Sequence, residues 1–585
     1  MRDNAAGIPS RLPTDDVNPS PPALTPRIER ALLVVVLGLT FIVHVHFVLH
    51  QNINWDEFFF LSFVYDYARG TLSTPLQSFH VHLFGWLTSI DGYEVDQVIA
   101  ARTVFLLLLT GTCTCVYSLA RRSASVNGAL FAVLCCAAYS NILNHGTSFR
   151  TDGLSIFLLM VALVLVQRRT HRVLALSTGA VLVALALLIT VKGVFLLPTV
   201  GVLLIIRQAP DCLSTRARRE GFLFVGVMVA ATVALYFWHR GTIVAPAGPD
   251  SVTYLQSVAT TVIRRDVLFP GFVYFVGSVL ANLVEWAFLT YAVVTLSRRL
   301  LVREQRIEAL SLLALVLPLL SLLFYRNAFP YFYVLLMPPA LVLCGFAFDQ
   351  VTLNARMSER RGIPLAFVAT LVIAGSVAAN VTLRFRDGTA AQREVIRAVH
   401  EIFPQPVPYI DRNGMIASFP KVGFFMSTWG IQSYREAGQP MFAGVLRAHE
   451  PKFLVMNSPA LASVFAESSA AGEESEQRLL AEDVAVLREH FVPYWGPVYV
   501  AGRAMHLQQG ADIVWEVLVA GPYRLLSQGP VVIGNVRYAP GSTVEIELGS
   551  VSLRSSITQD IVLRTNSVQG VPSYPPPVGP IYTGF

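Results

Sequence analysis

Over the first two-thirds of the chain, long apolar runs alternate with short basic tracts; beyond residue 384 the pattern changes to short alternating runs broken by Gly, Pro and Asn. The apolar runs lie at about 30–49, 98–119, 126–144, 151–167, 173–190, 193–206, 221–238, 271–296, 308–324, 331–348 and 363–383. They predict about eleven transmembrane helices. Each of the basic tracts Arg121-Arg122, Arg168-Arg169 with His171 and Arg172, Arg216 with Arg218-Arg219, Arg298-Arg299 to Arg306, and Arg356 with Arg360-Arg361 follows an even-numbered span. By the positive-inside rule that side is cytoplasmic, which puts the N-terminus inside and the C-terminus outside. The run at 193–206 is the shortest, and fusing it with 173–190 into one broken helix would reverse everything downstream; three later basic tracts argue against that.

The flanks read differently. Residues 1–27 are rich in Pro, Ser, Asn and Asp without apolar period, so a disordered cytoplasmic tail is expected, and the first apolar run, with no small-residue cleavage site after it, should remain as an anchor. Residues 28–383 form the expected membrane module, with an outer loop at 51–97. From 384 to 585, runs such as "PVYVAG", "VVIGNV" and "STVEIELGS" beside a helical stretch near 474–491 predict an extracytoplasmic domain of mixed α and β structure.

Composition agrees with this division. With 54% hydrophobic and only 14% charged residues, the 585-residue chain has too little polar surface to coat a soluble globule. The net charge of +6 resides in tracts between apolar runs, where Lys and Arg act as topology signals, so no nucleic-acid partner is expected. The cysteines, at 113, 115, 135, 136, 212 and 344, lie in or beside apolar segments and read as packing residues. None follows residue 344, so the outer domain has no disulfide of its own, which suits a bacterial plasma membrane.

Five stretches on the outer face carry candidate chemistry. "NINWDEFFFLSFVYDYARG" puts Asp56 and Glu57 ahead of an aromatic segment expected at the lipid headgroup boundary; the two carboxylates either begin an interfacial helix, favoured there by its dipole, or serve chemistry. "SFHVHLFGWLTSIDG" carries His80 and His82, which share a face if the segment is extended and could help hold a metal or a phosphate, or could simply sit at the interface. In "NHGTSFRTDGLSIF", Arg150 and Asp152 mark a turn, either as a site or as a surface pair. "ITVKGVFLLP" places Lys192 where a cation suits a lipid phosphate, with a snorkelling lysine as the alternative. "FYRNAFPYFYVLLMPP" adds Arg326 as a second phosphate clamp beside Tyr331. The topology gathers all five at one membrane face.

In this order the motifs resemble the GT-C superfamily of glycosyltransferases that use polyprenyl-phosphate sugars, especially its protein mannosyltransferase and aminoarabinose transferase branch, over about residues 30–350. The matching features are the D-E pair at Asp56-Glu57, "HVHLFGW" in place of a segment that often has two prolines, the "R-T-D-G-L" turn at Arg150 to Leu154, the Lys192-Gly193 step, the Arg326 to Pro338 region and Arg102 in the second span. The resemblance implies inverting sugar transfer from a polyprenyl-phosphate donor to an extracytoplasmic glycan, lipid or protein. Asp56 would be the general base, and Lys192, Arg326 and Arg150 would bind the donor phosphate. Glu57, His80, His82, Asp152 and Tyr331 would contact substrate, with Glu57, His80 and His82 holding a divalent metal in members that use one. No other cofactor is implied. Two other classes fit a polytopic chain. A transporter or flippase would keep charge near the midplane and show internal repeats, neither of which is visible, and a scaffold with a partner-binding domain leaves "WDE" and Lys192 without a role.

Overall fold

The computed structural model describes residues 26–168, 170–206, 215–244, 268–357, 365–384, 386–465 and 478–583. The expected N-terminal tail, Cys212, and most of the stretches 239–270 and 474–480 lie outside the described residues. The chain is a multi-pass helical membrane protein. Among the described residues, seven helices are long and apolar enough to cross a bilayer, or eight if the pair Phe272–Ala281 and Leu283–Arg299 is one bent span. Among the described residues, fewer helices reach the length of a full span than the eleven expected. Three of the apolar runs, Val126–Ala138, Thr151–Val166 and Val191–Ile206, form helices of only 10–17 residues. The run at 271–296 is not one straight span either: it turns by 100° at Asn282.

The principal helices are α1 (Pro26–His50), α2 (Trp55–Ala68), α3 (Glu94–Ala120), α4 (Val126–Ala138), α5 (Thr151–Val166), α6 (Arg172–Ile189), α7 (Thr215–Thr242), α8 (Leu283–Arg299), α9 (Tyr333–Met357) and α10 (Leu365–Arg384). Helix α9 is the axis of the bundle, almost wholly buried, whereas α7 lies at the rim, almost wholly exposed. The crossing of α4 and α9 depends on two glycines. A Cβ on Gly128 would lie 2.6 Å from the Gly345 carbonyl oxygen, and one on Gly345 would lie 2.8 Å from that of Gly128. Only at such small residues can two membrane helices come this close.

Beyond α10 the chain builds a mixed domain around α11 (Ala390–Ile402) and α12 (Thr428–Ala437). Strands β1 (Tyr409–Ile410), β2 (Lys421–Val422) and β3 (Phe453–Val455) are parallel, in the order β2-β1-β3. The ten-residue β5 (Val498–Leu507) joins this parallel part to an antiparallel one: its first half pairs with β3 and β4 (Phe491–Trp495), its second with β12 (Gln559–Thr565). Strands β7 (Gly521–Leu526) and β10 (Thr543–Ile546) complete that sheet. A second sheet, β6 (Asp512–Val517), β11 (Gly549–Ser555), β8 (Val531–Ile533) and β9 (Val536–Tyr538), packs on it through Trp515, Leu553 and Val531 against Leu525, Leu563 and Tyr523. Alternation of buried and exposed residues along β6 and β12 fits a two-layer sandwich.

The domain shares a continuous core with the membrane module. Phe58, Leu61 and Val64 of α2 are fully buried in one cluster with Ile396 and Val399 of α11, Tyr409, Met415 and Phe453. This corrects the expectation that the aromatic run after Asp56 lies against lipid. Phe59 stacks on Phe425 of the C-terminal domain at 4.2 Å, and Phe60 and Phe63 pack on His80. The run is amphipathic enough for a headgroup boundary, but a folded domain covers it.

Candidate active site

Helix α2 begins with a capping box at the end of the bundle that meets the C-terminal domain. The Asp56 amide donates to Asn54 Oδ1 (2.9 Å), and Glu57 Oε1 accepts from the Asn54 amide (3.0 Å). Successive residues diverge by about 100° around a helix, so the adjacent carboxylates face different surroundings. Glu57 turns inward, to 0% exposure. Arg102 of α3 grips it with two hydrogen bonds, Nε to Oε2 at 2.8 Å and Nη2 to Oε1 at 2.6 Å, and the Phe149 amide donates to Oε2 at 2.8 Å. Arg102 Nη1 and Nη2 also donate to the Gln51 and Asn52 carbonyls at 2.7 and 3.1 Å. The carboxylate has no open position left for a substrate or a metal.

Asp56 keeps 16% of its side chain exposed and pairs with Arg150, the N-cap residue of α5. From there an ion chain continues into the bundle. Arg150 Nη2 lies 3.7 Å from Asp152 Oδ2, and Lys192 Nζ donates to Asp152 Oδ1 at 2.9 Å. Lys192 is placed by a helical turn at Val191–Leu196 that Thr190 caps. Tyr331 lies beneath both cations, its ring centroid 3.6 Å from Arg150 Cζ and 4.9 Å from Lys192 Nζ. The stretches at 56, 150–152, 192 and 331 thus meet in one cluster. Within it, Arg150 Nε and Asp152 Oδ2 are buried without a hydrogen-bond partner.

Arg326 meets the C-terminal domain. Its guanidinium stacks 3.5 Å from the Trp429 ring centroid and donates to Gln432 Oε1 at 3.0 Å, so α12 of the C-terminal domain covers it. The two histidines separate. Val81–Phe84 is a helical turn rather than a strand, and residues two apart on a helix point in different directions. His80 is buried, with Nε2 3.1 Å from the Phe60 carbonyl, and burial lowers its pKa to about 4. His82 Nε2 lies 2.8 Å from His239 Nδ1 at the end of α7, and Ser78 Oγ is 2.9 Å from His239 Nε2. The proposed metal set of Glu57, His80 and His82 therefore does not fit: Glu57 is saturated by Arg102, and the imidazoles diverge. Among the described residues no group of three or more His, Cys, Asp or Glu side chains could hold a metal ion.

Sequence reasoning missed several neighbours. Arg412, in the turn "DRNG" after β1, lies with Cζ 3.9 Å from the Trp55 ring centroid. Burial lowers its pKa, against the opposing pull of Tyr582, Asp56 and Asp411. The end of the chain also returns here: Tyr582 packs edge-on against Trp55 at 5.9 Å and donates to Asn413 Oδ1 at 2.9 Å, and Asn52 holds the Ile581 carbonyl at 3.1 Å. His239, Trp429 and Tyr582 carry no local signal. For Arg412 the Asn-Gly turn was visible but its destination was not.

The sequence matches no protein-family model and no curated protein. Solved structures do match. ArnT from Cupriavidus metallidurans bound to undecaprenyl phosphate is 15% identical, with a TM-score of 0.52 over 74% of this chain and 94% of that one. The apo oligosaccharyltransferase of Archaeoglobus fulgidus is 11% identical, with a TM-score of 0.54 over 94% of this chain and 98% of that one. The chain has the GT-C fold of membrane glycosyltransferases.

Proposed function

We propose that the protein is an inverting glycosyltransferase that moves a sugar from a polyprenyl-phosphate donor to an acceptor hydroxyl, with Asp56 as general base. The observation that carries this reading is the ion chain. A part-exposed carboxylate lies at the entrance to a cluster in which two cations share one aromatic ring and one buried carboxylate. Likeness in fold to an enzyme bound to undecaprenyl phosphate supports the same class of donor. The site faces the extracytoplasmic side in this reading, since the basic tracts lie at the opposite ends of the spans.

In the transfer step Asp56 takes the proton of the acceptor hydroxyl, the acceptor oxygen bonds to the anomeric carbon, and the bond from that carbon to the phosphate oxygen breaks. The electron pair leaves with the lipid phosphate. Its growing negative charge is met by Lys192 and Arg150, held ready by Asp152 and Tyr331. Before donor binds, Arg150 is engaged by Asp56; an arriving phosphate competes for the guanidinium and frees the base. Arg326, under α12, serves the phosphate from the C-terminal side. Glu57 acts through Arg102 as a positioning residue that fixes the start of α2, and His80 packs the back of the same helix. No metal is assigned a step.

The test is transfer of radiolabelled sugar from a polyprenyl-phosphate donor pool to membrane acceptors, comparing wild type with Asp56→Asn at equal expression. Loss of about 10²- to 10⁴-fold with donor still bound is expected. Undiminished transfer by the variant would remove Asp56 from the chemistry.

A further inference from the structure

Beside Asp56, on the C-terminal domain, one guanidinium has no role in the transfer step. The backbone that carries it is fixed from both sides. The Arg412 amide donates to Asn457 Oδ1 at 3.0 Å, and its carbonyl accepts from the Met426 amide at 2.9 Å. The fully buried Asp411 is spent on that turn: its carboxylate accepts from the amides of Asn413, Gly414 and Met415 at 2.7–3.0 Å and from Asn457 Nδ2 at 3.1 Å. A carboxylate so occupied cannot also satisfy its neighbour.

The Arg412 side chain has no such satisfaction. It is half-buried over Trp55, its Nε is buried without a hydrogen-bond partner, and among the described residues its guanidinium makes no hydrogen bond or ion pair. The contrast with the other arginines of the site is sharp. Arg102 holds Glu57, Arg150 holds Asp56, and Arg326 donates to Gln432. A desolvated guanidinium is costly to leave unpaired, and its planar fork matches a carboxylate or phosphate. Trp55 directly precedes Asp56, so a group seated on Arg412 lies next to the base. The neighbours of Arg412, namely Trp55, Asn457 and the Tyr582 tail, are not those of Arg150 and Lys192. The donor phosphate already has the latter pair.

We propose that Arg412 anchors an anionic group of the acceptor, so that the acceptor carries a carboxylate or phosphate close to the hydroxyl that Asp56 deprotonates. This rests on the glycosyltransferase reading and adds the acceptor's charge to it. The C-terminal domain then selects the acceptor by charge, and Trp55 with the returning chain end fixes the guanidinium's place.

The experiment uses the full-length protein in detergent with a radiolabelled polyprenyl-phosphate sugar pool and a total envelope extract as acceptor. Labelled products are run on an anion-exchange column, and Arg412→Gln and Arg412→Lys are compared with wild type. The labelled product should bind the column. Arg412→Gln should raise the acceptor concentration for half-maximal rate by about tenfold or more, with affinity for undecaprenyl phosphate within about twofold of wild type as the measure of a folded donor site. Arg412→Lys should restore part of the loss. A neutral product overturns this proposal and leaves the glycosyltransferase reading standing. So does weaker undecaprenyl phosphate binding with unchanged acceptor dependence, which would move Arg412 to the donor. No transfer by wild type overturns the glycosyltransferase reading and this proposal with it.

Discussion

Two ion clusters diverge from the first turn of α2, and they differ in how completely they are satisfied. In the Glu57–Arg102 pair both side chains are at most 2% exposed, the carboxylate accepts four hydrogen bonds and the guanidinium donates four. The cluster of Asp56, Arg150, Asp152 and Lys192 is more open, with 16% of Asp56 and 15% of Lys192 exposed and two buried polar atoms left without hydrogen bonds. A saturated cluster holds shape, because any new ligand must first displace a good partner. One with free positions can receive charge. Adjacent carboxylates in the sequence therefore differ in what they can do: Glu57 is closed to new partners, and Asp56, the base of the proposed transfer, is not.

The largest effect is expected at Arg102. Arg102→Met leaves Glu57 buried and unpaired and should cost about 3–5 kcal/mol, seen as a large fall in the thermal midpoint of the detergent-solubilised protein. A midpoint equal to wild type would show that the closed cluster is not structural. In the open cluster, Lys192→Met should lower transfer by about 10²- to 10³-fold while the midpoint moves little, because Asp152 retains Arg150 nearby. A stability loss as large as that of Arg102→Met would erase the distinction between the clusters.

His80 sharpens the closed side through pH. Burial lowers its pKa from 6.5 to about 4, so between those values the unfolded chain binds the proton and the folded one does not. The contribution of His80 to stability is fully present above pH 6.5 and is lost as pH drops through that window, by about 3 kcal/mol. The same titration on His80→Asn should show a shallower decline over pH 6.5 to 4. Parallel curves would show that His80 is not buried neutral.

Legibility differed from one part of the site to another. Asp56, Arg150, Asp152, Lys192 and Tyr331 stood out because each is an ionisable or polar residue at the end of an apolar run, where burial is expensive without a purpose. Their assembly into one chain of contacts depended on which helices are neighbours. The pairing of the histidines stayed open because the sequence did not show whether residues 80–84 were extended or helical. The aromatic run after Asp56 was misread because a lipid boundary and a domain core select the same side chains. Arg326 was legible as a cation, but its cover by Trp429 and Gln432 was not.

The membrane character, the position of the apolar runs, the change to a mixed domain after α10 and the residue types available for chemistry can all be read along the chain. Those properties follow from local hydrophobicity, which a window of about twenty residues contains. Tertiary packing was needed to show which of two neighbouring carboxylates stays accessible, that a helix near 271–296 bends sharply, that His82 meets His239, and that residues 581–583 return to the turn before α2. Each of these is a pairing between distant segments. It is set by the packing and hydrogen-bond satisfaction of the whole fold, which no local window records.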